Sequence, residues 1–459
     1  MSDGPTTDFA APGDERLASR QGVPWLWRAA GLAVLALLAA ALYWTIRLSR
    51  ADWLFRTGNP QFIQQAIRLA PGNPDYYSGW AQREPERAVD ILEKGVALNP
   101  IHSSLRIELG LAAEEKGDFR KAEASLLEAM RLDTSFAPRW ALSDFYLHRR
   151  DAEKFWPVVK AALAISYGDV SAQFRNCWAL SSDPQTILER AIPDRVGVLR
   201  QYLGFLLNEG RIDAAEPVAS RVLARADKDA VDVLLNYCDR LLEAGRSKQA
   251  LTVWNGLSER KLIPYGPLTP GEGEAPVNGD FRLPGLGAGF DWRPSFPDGI
   301  DMDRAGNPPA LMLSFSGKQP ENAEILSQYV PLLPRRQYVL SVRYRVSGID
   351  AESGLVCYLL AANGKDLLNG QGLLPGGKDG DSEQEVRFQT PENTTLARLV
   401  FGYHRMLGTM RIEGALTLRK FALSLSSGFM CYLPAGNGKT PRWYGWFSDT
   451  AERCEWRAL

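Results

Sequence analysis

Histidine and cysteine are scarce in this chain, and neither is clustered. The three histidines, His102, His148 and His404, stand alone, and no two of Cys177, Cys238, Cys357, Cys431 and Cys454 lie two to four residues apart. That spacing excludes the thiolate and mixed Cys/His signatures of a structural zinc site. The odd count excludes a fully paired disulfide framework, and a Cys431–Cys454 bridge would fit only an oxidising compartment. An excess of charge of either sign is also missing. The chain has 53 Lys and Arg against 54 Asp and Glu, without the basic footprint of a nucleic-acid binder. Catalytic signatures are absent as well: there is no G-x-S-x-G, H-E-x-x-H, phosphate-loop or dinucleotide-binding glycine pattern. Glycoside hydrolysis needs a converging pair of carboxylates. The candidates Asp291, Asp298, Asp301, Asp303 and Glu413 are scattered singly, and Asp301 and Asp303 flank Met302 with no further ligand series, which reads as a solvated loop. No catalytic, cofactor-binding or metal-binding residue is expected, and a non-enzymatic protein is the reading, with a hydrolase the least favoured alternative.

One long apolar run is present. Residues 29–46, AAGLAVLALLAAALYWTI, carry no charge, and eighteen helical residues span roughly 27 Å, close to a bilayer core of about 30 Å. Trp25 and Trp27 precede the run, Tyr43 and Trp44 close it, and Arg28 and Arg47 bracket it, as aromatic belts and interfacial arginines do. A retained membrane helix over 25–47 is therefore expected, making contact with the lipid bilayer through 29–46. The 28 residues before the run are long for the leading part of a signal peptide, and no small-x-small cleavage site follows it. Arginines balance on the two sides: Arg16, Arg20 and Arg28 before, Arg47, Arg50 and Arg56 after. Orientation is thus expected from the C-terminal domain instead, with the bulk exported, as for a bacterial inner-membrane protein facing the periplasm. Residues 1–24, small and polar, are expected to be a disordered tail.

From 52 to 260 the pattern is short amphipathic helices broken by Gly-Asp and Asn-Pro. Leu98-Asn99-Pro100 and Leu132-Asp133-Thr134 stand at equivalent helix ends 34 residues apart, and Gly210-Arg211 and Gly245-Arg246 at equivalent turns 35 apart. A period near 34 is that of tetratricopeptide repeats, which the region resembles on motif grounds as well. Leu109-Gly110, Ala88, Ala122 and Ala215 fall where the repeat needs a small side chain for close helix crossing, and Pro74 and Pro100 where its terminal proline stands. About five pairs are expected, with a degenerate one over 151–194. The resemblance implies an α-solenoid whose groove takes a protein or peptide partner. Glu114, Glu115, Lys116 and Arg120 read as solvated faces with i,i+4 pairing, His102 and His148 as ordinary helix-end residues, and Trp140 and Trp254 as packing residues.

After residue 260 the helical period is lost. A Pro/Gly-rich linker over 261–276 leads to short alternating segments that predict an antiparallel β-sandwich over 277–459. Val342, Tyr344 and Val346 alternate with Arg343 and Arg345 as in a half-buried strand. Val277-Asn278-Gly279-Asp280-Phe281, then Gly289-Phe290-Asp291-Trp292, resemble the opening of jelly-roll domains of the galactose-binding and carbohydrate-binding-module type. Residues 411–423 resemble their closing strand, with Glu413-Gly414 in place of an acidic pair, so a calcium site is not carried over. That resemblance makes exposed aromatic side chains the candidates for stacking on a glycan. They are Trp292, Tyr403, Trp443 and Trp446, with His404 and Tyr444 beside them, and core packing is the competing role for each. The aromatic-rich C-terminal extension is expected to fold back on the sandwich. The whole order of anchor, repeats and sandwich also resembles uncharacterised bacterial proteins associated with polysaccharide assembly. It implies an anchored scaffold, or alternatively a carbohydrate-binding surface protein.

Overall fold

The computed structural model describes residues 24–272, 275–349, 353–374 and 379–426. The expected tail, Trp443, Tyr444, Trp446, Cys431, Cys454 and the C-terminal extension lie outside these residues, apart from Pro24. The chain divides into two units, Met1–Gly168 with Arg175–Ser182, and Asp169–Phe174 with Asp183–Leu459.

The first unit is helical: α1 (Pro24–Arg56), α2 (Pro60–Leu69), α3 (Pro74–Arg83), α4 (Ala88–Leu98), α5 (Ser103–Glu115), α6 (Phe119–Leu132), α7 (Phe136–His148) and α8 (Ala152–Ile165). The next helix, α9 (Ser171–Leu180), straddles the boundary. α1 is the one helix among the described residues long and apolar enough to cross a membrane, in keeping with a single pass. It does not stop where the apolar run stops. Ala51 and Leu54 are buried with Ile63 and Ala66 of α2, so the last turns of α1 form the first wall of the helical array.

The Asn-Pro punctuation has a direct local cause. Asn59 and Asn73 accept a hydrogen bond from the backbone N–H groups of Gln61 and Asp75, and Pro60 and Pro74 follow at the first helical position, where a missing N–H costs nothing. Asp118, Asp151 and Asp183 cap α6, α8 and the later α10 in the same way. The small residues of the repeat signature also have a steric cause. A Cβ on Gly110 would stand 2.6 Å from Leu126 Cγ, and one on Gly95 2.8 Å from Tyr77, while Ala113, Ala122 and Ala129 are fully buried at the crossings.

The second unit continues with α10 (Pro184–Arg190), α11 (Val196–Asn208), α12 (Ile212–Ala224), α13 (Val231–Glu243) and α14 (Ser247–Glu259). Counting α1 with α2, six helix pairs pack against one another among the described residues, against about five expected, and α9 with the seven-residue α10 occupies the stretch expected to be degenerate.

The segment after α14 is tied down. The side chain of Asn255 both donates to Leu268 O (3.0 Å) and accepts from Leu268 N (2.7 Å), Ser258 Oγ donates to Tyr265 O (2.7 Å), and the Tyr265 ring stacks on Trp254. The stretch expected as a linker is therefore laid along the last helix.

Among the described residues nine strands follow: β1 (Arg293–Pro294), β2 (Ile300–Ala305), β3 (Ala310–Ser316), β4 (Asn322–Pro331), β5 (Gln337–Ser347), β6 (Leu355–Ala361), β7 (Gly380–Gln389), β8 (Leu396–His404) and β9 (Glu413–Leu425). They form two antiparallel sheets, ordered β1-β4-β8-β6 and β2-β3-β9-β5-β7, in a sandwich-like arrangement around one apolar core. β5 alternates as its sequence requires, with Tyr338, Leu340, Val342, Tyr344 and Val346 buried and Arg343 and Arg345 exposed. Asp301 and Asp303 were read as loop residues; they lie in the edge strand β2, both exposed. Outward charges on an edge strand block further strand pairing.

Candidate functional site

In the first unit, polar groups on successive first helices of the pairs are joined one repeat apart. The Tyr76 hydroxyl donates to Asp52, Ser78 Oγ to Glu108 (2.5 Å) and Asn176 Nδ2 to Asp144 (2.8 Å), and His148 Nδ1 lies 2.9 Å from Glu114. The second helices are joined likewise by Lys121–Glu93 and Lys154–Glu123 at 2.8 Å, and the turns within successive pairs by Lys116 to Glu86. This corrects the expectation that Glu114 and Lys116 pair along their own helix. Their partners sit 34 and 30 residues away, because the repeat period sets neighbouring helices side by side. His102 accepts from Leu105 N as a helix cap. Glu108, Glu114 and Asp144 are half-buried, and burial pushes the Asp144 carboxyl above the ordinary carboxylate value. Trp140, one turn before Asp144, is half-buried and stacks on Phe136 at 6.2 Å. Glu114 and His148 act electrostatically on Asp144, so two half-buried carboxylates are neighbours there, whereas Glu108 faces Ser78 on α3.

In the sandwich, the resemblance motif is used by the fold itself. The Asn278 amide holds Leu283, donating to its carbonyl at 2.9 Å and accepting from its N–H at 3.0 Å. Gly279 lies so close to β9 that a Cβ would be 2.3 Å from the Phe421 carbonyl oxygen. Phe281 packs on Trp292 and Phe421. Trp292, 3 % exposed, donates its indole N–H to Asn278 O at 3.1 Å, and Tyr403 is 2 % exposed, 6.5 Å from Phe315. Both rings lie in the core, so neither presents a face to solvent. His404 is exposed and bonded to Asn322.

The half-buried aromatics that sequence reasoning missed are on the outer face of the four-stranded sheet. Alternation and register place Tyr329, Arg398 and Leu360 in one row across β4, β8 and β6, and Ser327, Val400 and Tyr358 in the next. Arg398 reaches back along the face to Glu324 and donates to Ser327 Oγ at 2.9 Å. The Arg293 guanidinium lies 4.9 Å from the Tyr329 ring centre and is itself paired with Asp239 on α13. Two half-buried phenol rings and a guanidinium–carboxylate pair thus share one surface, with the buried Ser327 hydroxyl beneath Arg398. The five-stranded sheet is different: its outer face carries the ion pairs Arg343–Glu383, Arg345–Asp381 and Arg419–Asp381.

The buried carboxylates each face a donor. Asp291 is fully buried, accepts from the Tyr265 hydroxyl (2.8 Å) and Leu286 N, and has its carboxyl pushed up by burial. Among the described residues, no group of three or more His, Cys, Asp or Glu is placed to hold a metal.

No family model and no curated protein matches the chain. Among solved structures the chain is similar to YrrB, described as a TPR protein with an unusual peptide-binding site, at 16% identity over 44% of this chain and 92% of that one (TM-score 0.22). It is similar to the MamA protein at 13% identity over 44% and 94% (TM-score 0.25). It is also similar to a structure described as "CBM4 structure and function", at 9% identity over 33% and 100% (TM-score 0.25).

Proposed function

We propose that this chain is a membrane-anchored, non-enzymatic scaffold whose first helices bind a protein segment carrying basic side chains. A setting in cell-surface polysaccharide assembly, with the bulk of the chain in a bacterial periplasm, would suit the order of its parts. The observation that carries the reading is the neighbouring pair of half-buried carboxylates Glu114 and Asp144, with Trp140 one turn from Asp144. A partly desolvated carboxylate gains more from an arriving Lys or Arg than an exposed one does, and an adjacent indole adds a cation–π contact. The test is a photo-crosslinking residue in place of Trp140, in cells. A discrete adduct that is lost in Asp144→Asn, Glu114→Gln supports the reading. The same adducts from Leu127 on α6, or adducts indifferent to the two carboxylates, refute it.

A second reading rests on Tyr329, Tyr358, Arg398 and Glu324. A glycan would use the phenol rings for stacking and the ion pair for its hydroxyls. Glycan-array binding that survives Tyr358→Ala, Arg398→Gln would refute that site. Trp443 and Trp446 remain glycan-stacking candidates, tested by a Trp443→Ala, Trp446→Ala variant on the same array.

A further inference from the structure

Where α1 leaves its apolar run, the first unit holds a groove of about 590 Å³ lined by Trp44, Arg47, Leu48, Asp52, Gly72 and Tyr76, among others. We infer that this groove is a phospholipid headgroup site selective for a lipid that carries both a phosphate and a primary ammonium, as phosphatidylethanolamine does. The inference rests on the membrane-spanning reading of α1.

Arg47 is set apart from its neighbours. From Trp27 to Arg50 every other described side chain is exposed, and Arg47 alone is half-buried. Its Nε donates to Leu69 O at 2.8 Å and its guanidinium lies 4.9 Å from the Trp44 ring centre. The group is thereby fixed at the end of the apolar run with its two terminal nitrogens still able to donate. No carboxylate is paired with it among the described residues. A phosphate takes two parallel N–H donors of a guanidinium well.

Asp52 lies five residues on in the same groove. One of its oxygens accepts the Tyr76 hydroxyl, which fixes the carboxylate and leaves its second oxygen as an acceptor. Burial and the Asp52 bond push the Tyr76 phenol up to about 12, so it stays a donor. A carboxylate beside a phosphate site repels an anionic headgroup but receives an ammonium. Trp44 and Leu48, both exposed, continue the apolar surface of α1 into the groove, where the upper acyl carbons would lie. The three requirements together (cation for phosphate, anion for ammonium, apolar wall joined to the spanning helix) single out this headgroup class. A trimethylated ammonium has no N–H to give Asp52, and a glycerol headgroup has no cation.

The test uses the full chain in nanodiscs of equimolar phosphatidylethanolamine, phosphatidylcholine and phosphatidylglycerol, released into mild detergent and read by native mass spectrometry. Phosphatidylethanolamine should be retained about five-fold over each of the others, the scale of one partly exposed charge pair. Asp52→Asn keeps an acceptor for Tyr76 and should bring the ratio to phosphatidylglycerol to one. Gly72→Trp fills the groove without strain, since a Cβ there meets nothing within 4 Å, and should abolish retention. Retention in bilayer proportions by the wild type, or a preference that survives both variants, overturns the site. Release of the chain from membranes by alkaline carbonate would instead overturn the spanning reading itself.

Discussion

Truncating Trp254 should destabilise the sandwich although the residue belongs to a helix. The Trp254 ring is fully buried on α14, stacked on Tyr265 (5.8 Å, 12°) and edge-on to Phe290 (5.8 Å, 78°). Trp254→Ala therefore removes a whole aromatic from a packed site, at a cost of about 3–5 kcal/mol, a large part of a typical stability of about 5–15 kcal/mol. Gly289 supplies an internal check. Its φ is +63° and a Cβ there would lie 2.5 Å from the Trp254 ring. Gly289→Ala should cost about 1 kcal/mol for the left-handed backbone and about 1–3 kcal/mol more for the clash. In the Trp254→Ala background the clash has no partner, so only the backbone cost should remain, and the two substitutions should couple by about 1–3 kcal/mol. The assay is hydrogen exchange under increasing denaturant, read by segment. Peptides from α13 and from β4 and β8 should lose protection together in Trp254→Ala. Loss confined to the helices, or additive Gly289 and Trp254 effects, would refute the idea that the last helix pair and the sandwich share one core.

Gly279→Ala should cost the sandwich about 2 kcal/mol or more in chemical denaturation, since its Cβ would overlap the Phe421 carbonyl; a neutral result would mean the Asn-Gly turn is not held against β9. Burial holds the Asp291 carboxyl above its ordinary value of 3.8, so the folded state favours the protonated form. That contribution is full below pH 3.8 and fades as pH rises through the raised value. The wild type should thus lose stability relative to Asp291→Asn as pH rises above 3.8 in paired thermal melts, and a flat difference would contradict this. Cys177, Cys238 and Cys357 are buried and their thiols are pushed up by burial, Cys177 to about 12. They should not react with a water-soluble disulfide reagent until denaturant is added, and peptide mapping of the labelled sites would show any exception.

The legible parts of this chain were those decided by short-range pattern. An uncharged run, a 34-residue period and a two-residue alternation in β5 each depend on composition within one element, and each is found in the structure. What could not be read depended on register between elements. Glu114 and Lys116 look like an i,i+4 surface until the stacking of repeats gives each a partner one period away. Trp292 carries the same indole whether it faces solvent or core, and only the close approach of Gly279 to β9 turns that segment inward. Tyr329 and Tyr358 stand among alternating residues of β4 and β6 like any others, and it is their pairing through β8 that sets them on one face. β2 escaped notice because four of its six residues, IDMDRA, are charged or small, a pattern that suits an edge strand as well as a loop.

The way α1 ends also bears on what an anchored scaffold can do. An anchor joined through a flexible segment fixes only the distance of its cargo from the membrane. Here no proline or glycine interrupts the chain between Gly31 and Arg56, and the helix enters the first repeat core through Ala51 and Leu54. Bending it there would expose both residues and strip Ile63 and Ala66 of their packing, which opposes free swivelling. The Arg47 bond to Leu69 adds a second tie at the point where the apolar run ends. If α1 spans a bilayer as proposed, the direction in which the helical array of the first unit leaves it is set by that same helix. On the proposed reading a partner held at Glu114 and Asp144 would be presented at a defined orientation as well as a defined height, which is the property that distinguishes a scaffold from a tether.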